Sequence, residues 1–146
     1  MSKQEAEEFR NLLKTKSDEL AKIQRYSGSL VTLFLQEGDL DDPEMWLIRV
    51  EYYIQIFQSF ISDMNGTAKR IQAKADKENA ISEGDPAAVF LIYPEQMSDA
   101  ASVSLSLLTG IRDIIVNYMS LPDRGQYLSE VSALRELANK IRKENR

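Results

Sequence analysis

Most enzymatic and metal chemistry in proteins draws on a short set of side chains, and two of them are missing here: the chain contains no histidine and no cysteine. Without histidine the commonest general base and the commonest metal ligand are gone, so serine-histidine and cysteine-histidine nucleophiles cannot be assembled. The Glu-x-x-His pairs of helical di-metal carboxylate sites are ruled out on the same ground. Without cysteine there are no disulfides, no thiolate nucleophiles and no sulfur ligands. Carboxylates remain. Glu5 and Glu8 stand three residues apart, half of a pattern that holds magnesium between facing helices, but no matching pair follows in the later helices. Their simpler role is to sit at the positive end of the first helix.

The acidic group Asp39, Asp41, Asp42 and Glu44 lacks the alternating oxygen ligands, central glycine and distal glutamate of a calcium loop. It reads better as a turn that ends one helix and caps the next. The stretch Asp63-Met64-Asn65-Gly66-Thr67 does not fit a phosphate-binding loop. The sequence therefore leads us to expect no enzymatic activity, no metal and no cofactor.

Candidate binding residues are apolar. Trp46, Tyr53, Phe57 and Phe60 recur at helical spacing and serve as core, while Trp46, Tyr53, Phe57 and Tyr118 together are the candidates for an aromatic ligand pocket between helices. The run Val89-Phe90-Leu91-Ile92-Tyr93 is apolar on every side. It either plugs the end of a bundle or docks on another chain, which makes these five residues the candidate partner or oligomer surface. Basic clusters at Lys69, Arg70, Lys74 and Lys77, and at Lys140, Arg142, Lys143 and Arg146, read as solvated helix surface. A net charge of −5 argues against nucleic acid as the main partner, because that binding depends on neutralising phosphates.

These residues must be carried by helices. From about Lys3 to Gln36 the positions Phe9, Leu13, Lys16, Leu20, Ile23, Ser27, Leu30 and Phe34 alternate four and three apart, the spacing of a coiled-coil-like seam. Gly28 marks a site for a bend or a close helix approach. Gly38 then ends the helix, Asp42 caps the next and Pro43 occupies its first position. The second helix spans about Glu44 to Glu83. Trp46, Val50, Tyr53, Phe57, Phe60, Met64, Ile71 and Ala75 form its stripe, and Tyr52, Ile54, Ile56 and Ile61 widen it enough to require two neighbours. Its far end, thin in apolar residues, is expected to project or pack loosely.

Segment 86–94 is open between a two-turn helix stopped by Pro94, a buried strand and an extended connector. A third helix is expected from Ser98 to about Ser120 with Val103, Leu107, Ile111, Ile114, Ile115 and Tyr118 inside. The small residues Ala100, Ala101, Ser102, Ser104 and Ser106 suggest a close approach by another backbone. After a turn at Leu121-Pro122-Asp123-Arg124-Gly125, a last helix runs from about Gln126 to Lys143 with Tyr127, Val131, Leu134, Ala138 and Ile141 as its stripe.

The whole is predicted to be one all-α domain over 1–146: an elongated antiparallel four-helix bundle, with two long helices as a hairpin, two shorter ones packed on it and an apolar connector at 86–94. At 146 residues, 43% hydrophobic and 28% charged, the chain has the material for one core. The acidic, polar start lacks the pattern of a signal peptide, and no apolar run approaches a bilayer's thickness, so a cytoplasmic protein without membrane insertion is expected. Unequal helices would leave apolar surface uncovered, which points to a homo-oligomer, with a dimer as first choice. The function expected is a non-enzymatic interaction protein, an adaptor, inhibitor or assembly factor acting through protein contacts. The alternatives are a sensor of a small ligand or nucleotide and a nucleic-acid accessory protein.

Overall fold

In the computed structural model, residues 2–37, 42–77, 86–120 and positions 129, 132–133, 135–137 and 140 are described, with side chains for all but 37, 75–77 and 86–89. Three helices of 35 residues each dominate: α1 (Lys3–Glu37), α2 (Pro43–Lys77) and α3 (Pro86–Ser120). At 1.5 Å per residue each is about 50 Å long. The described positions between 129 and 140 are helical and exposed, a short fourth helix, and Arg135 from it donates a hydrogen bond to the Leu35 carbonyl near the end of α1.

Two helix starts are fixed by side chains that accept the free backbone amides of the first turn. Asp42 Oδ1 accepts from the Met45 amide at 3.1 Å, its carbonyl accepts from the Trp46 amide at 3.4 Å, and Pro43 fills the first helical position. That cap is the one the sequence predicts. A second cap was not foreseen: Ser2 Oγ accepts from the Glu5 amide at 3.1 Å and the Ser2 carbonyl from Ala6 at 3.0 Å. The expected turn residues Gly38, Asp39, Asp41, Asp85 and 121–125 lie outside the described residues, as do Ala75's side chain and Tyr127, Val131, Leu134, Ala138 and Ile141.

The helices run up, down and up. Lys16 Nζ lies 3.4 Å from Asp63 Oδ2 and Lys74 Nζ 3.2 Å from Glu5 Oε2, which sets α1 antiparallel to α2. Leu13, Ile71 and Phe90 meet in one small core, placing the starts of α1 and α3 beside the end of α2. The larger core joins Leu20, Val31 and Phe34 of α1, Val50, Phe57, Phe60 and Met64 of α2, and Ala101, Leu108, Ile111 and Ile115 of α3. Every position of the predicted α1 seam is buried or half-buried, Lys16 and Ser27 included. Ser27 satisfies its hydroxyl on the Gln24 carbonyl at 3.3 Å.

Several sequence expectations are corrected. The connector at 86–94 does not exist as such: the segment is the first quarter of α3, and there are three long helices of equal length instead of two long and two short. Pro94 sits inside α3 and is fully buried. Its missing amide leaves the Phe90 carbonyl without its helical donor, at a cost of about 3 kcal/mol, and the burial of Phe90 and Pro94 against the bundle outweighs that local preference.

Around Ile71 α2 is packed, not loose, since that side chain is fully buried against Leu13 and Phe90; the side chains of 75–83 lie outside the described residues. Val103 is 39% exposed, because the face of α3 turned inward runs through Ala101 and Leu108. Gly28 marks neither a bend nor a close approach: a Cβ there would meet nothing within 4 Å, and α1 continues through it.

The pair α2 and α3 packs most closely. Small residues at a contact let helix axes approach, and Ala101 is fully buried there with Ala100 and Ser104 half-buried, while Ser102 and Ser106 face solvent. Because α3 matches α2 in length, the mismatch from which a second copy was expected is absent. Among the described residues, no helix is long and apolar enough to cross a membrane.

Candidate interaction surface

The aromatic residues expected to frame a ligand pocket belong to packed structure. Trp46 is buried with its ring edge-on to Phe34, centroids 5.6 Å apart at 71°, and Phe57 has no exposed surface. Tyr53 and Tyr118 are half-buried against the same core. The four therefore share one core and fill it with each other and their neighbours.

The run at the start of α3 is split by its helical twist. Phe90 is buried in the small core, Leu91 is half-buried, and Ile92 and Tyr93 are exposed; the side chain of Val89 lies outside the described residues. Phe90 and Tyr93 line a groove of about 570 Å³ between α1 and α3, floored by Leu13 and Met97 and edged by Arg10, Lys14 and Asp18.

Some of the charged groups singled out from sequence are engaged in structure, while Asp39, Asp41, Arg142, Lys143, Arg146 and the side chain of Lys77 lie outside the described residues. Glu5 pairs with Lys74 across α1 and α2, and Glu8 accepts from Gln4 Nε2 at 3.5 Å. Arg70 donates to Thr67 Oγ1 at 3.4 Å, and Thr67 in turn donates to the Asp63 carbonyl at 2.9 Å. Among the described residues, no three acidic, histidine or cysteine side chains gather as metal ligands. Lys16 stands out because it occupies a seam position. Partial burial, the largest single influence, pulls its pKa down, but the carboxylates of Glu19 at 3.2 Å and Asp63 at 3.4 Å together outweigh it, and the net position is above the ordinary lysine value of 10.5.

A different surface, missed from sequence, holds the largest exposed apolar side chains. Ile48 is 64% exposed, Tyr52 60% and Tyr26 51%, with Leu33 beside them. Together with Leu30 and Tyr53 they line a groove of about 490 Å³ between α1 and α2. The helical repeat explains the clustering: Tyr26 and Leu33 are seven residues apart on α1, and Ile48 and Tyr52 four apart on α2, so each pair shares one face. Tyr52 and Tyr53 meet edge-on, ring centroids 5.3 Å apart at 76°.

The flank of the groove is basic. Arg49 lines it, and the Arg25 guanidinium lies 5.5 Å from the centre of the Tyr26 ring, a cation-π distance. This second face was legible as apolar residues off the main seams at their own helical spacing. On α1 it was obscured because Leu30, Val31, Leu33, Phe34 and Leu35 are apolar on more than one face.

Compared with protein-family models, curated proteins and solved structures, the chain matches none of them.

Proposed function

We propose that the protein is a non-enzymatic interaction module that works by offering helix faces to other proteins. The observation that carries this reading is the group Tyr26, Leu33, Ile48 and Tyr52, large apolar side chains exposed together around one groove. Contiguous apolar surface of this kind is disfavoured in water and marks sites that a partner covers. Aromatic and arginine side chains, both present here, are the types that dominate binding energy at protein interfaces.

The test is affinity capture from the native host with the intact chain and with an Ile48→Asp, Tyr52→Asp double variant. Both substituted side chains are mostly in solvent, so the variant keeps its helical circular dichroism. The reading requires that captured proteins be lost with the variant; an identical set of proteins from both baits contradicts it.

Self-association is the second part of the reading, favoured by Ile92 and Tyr93, exposed side by side at the start of α3 next to the α1–α3 groove. Sedimentation velocity of an Ile92→Asp, Tyr93→Asp variant tests it separately. A dimer that dissociates on substitution supports this surface, and an oligomer of unchanged mass removes it.

A further inference from the structure

We infer that the groove between α1 and α2 receives an amphipathic helix with acidic flanks from a different protein, not a second copy of this chain. The inference rests on the interaction reading above and adds the chemistry of the partner.

Shape points to a helix. A bundle has no open strand edge to pair with, so a peptide must be held by side chains in a groove. Tyr26 and Leu33 span two helical turns, about 10 Å, which is the distance covered by anchors at positions i, i+4 and i+7 of a bound helix. Ile48 and Tyr52 form the opposite wall one turn apart.

Charge chooses between partners. Arg49 is the groove's charged lining residue, and it has no ion-pair partner among the described residues. Arg25 engages the Tyr26 ring and likewise no carboxylate. Lys22, one turn before Arg25, is exposed. Two carboxylates stand nearby on α2, Glu44 one turn before Ile48, where it complements the positive end of the helix, and exposed Glu51 beside Tyr52, but neither lines the groove. In a chain of net charge −5, this is a local basic flank around apolar walls.

Among the described residues the groove's one charged lining residue is Arg49, with Arg25 at its flank, so pairing the face with itself offers these arginines no lining carboxylate. An amphipathic helix carrying Asp or Glu beside its apolar anchors meets both the walls and the flank. Because neither arginine is paired with a carboxylate among the described residues, the incoming carboxylates displace no partner there.

The experiment is selection of a phage-displayed library of helices of about 14 residues, long enough to cross the groove, with apolar anchors fixed at i, i+4 and i+7 and flanking positions drawn from Glu, Gln and Lys. Against the intact protein, the selected helices are expected to be Glu-flanked. Their affinity should fall by about tenfold or more when Arg25 and Arg49 are both changed to Glu, and Lys-flanked helices should gain on that variant. Binding should be lost with Ile48→Asp. Enrichment of Gln- or Lys-flanked helices, no enrichment, or binding indifferent to Ile48→Asp overturns the inference. So does a dimer in sedimentation that Ile48→Asp converts to monomer, an outcome that keeps the face as an interaction surface but gives it to a second copy. If no helix is selected and the host partners of the intact chain are also unchanged by Ile48→Asp, the interaction reading falls with the inference.

Discussion

The two seams along α2 are built on different principles. Toward α3 the contact is close, with fully buried Ala101, Leu108, Ile111 and Ile115 set against the aromatic stripe of α2. Toward α1 the partner stands further off, spaced by the edge-on rings of Phe34 and Trp46 and crossed by the ion pairs Lys16–Asp63 and Lys74–Glu5. A close seam built on small residues tolerates little change of shape, since interiors are packed at near-crystal density. A wider seam held by large rings and surface ion pairs leaves a groove on its outer side. Close packing and exposed apolar surface are thus concentrated on opposite sides of the same helix.

That contrast is sharpest at α3. Leu108→Ala removes a buried side chain from a seam that cannot collapse, and should lower the unfolding free energy by about 2–5 kcal/mol in denaturant titration. Ala101→Leu, which adds volume at the closest approach, should cost about 1–3 kcal/mol. If Ala101→Leu is neutral, the seam is wider than described and the comparison fails.

The α1 side should respond in the opposite sense. Gly28→Ala places a methyl group in open space within a regular helix, and is expected to stabilise the protein by about 0.5–1 kcal/mol, read as a higher thermal midpoint. A loss of stability there would mean that α1 does need the glycine.

The smallest effect belongs to the ion pair across the wide seam. A double-mutant cycle with Lys16→Met and Asp63→Asn should give a coupling of about 0.2–1 kcal/mol, reduced by salt. Since the folded-state pKa of Lys16 is raised, this contribution is complete below the ordinary lysine value of 10.5 and disappears as pH rises past the folded value. Coupling that persists in strongly alkaline solution would show that packing, not charge, joins the two residues.

The parts of this architecture that could be read from sequence are those where local and tertiary preferences agree. The α1 seam from Phe9 to Phe34 and the Asp42-Pro43 start of α2 are of this kind: spacing and capping chemistry each pointed to the arrangement observed. Pro94 misleads because the rule that proline stops a helix is local, and its burial in the bundle beside α2 overrides it. That one residue turned a 35-residue helix into a connector and a shorter helix, and made the helices look unequal. Val103 was assigned inward because valine signals burial more strongly than Ala101, although the alanine holds the contact. Of the exposed apolar group, Tyr52 reads in the sequence only as widening a stripe, and Ile48 and Tyr26 carry no signal of their own. An apolar residue on a second face looks like any other until the neighbouring helix shows that nothing covers it.

The division of labour between the seams can be measured directly by residue-resolved amide hydrogen exchange under native conditions. Amides near Phe57 and Met64 in α2 and near Leu108 and Ile111 in α3 should exchange only through global unfolding, while those near Leu20 and Val31 in α1 should open at a lower free energy. Equal protection of α1 and α3 against α2 would contradict the account.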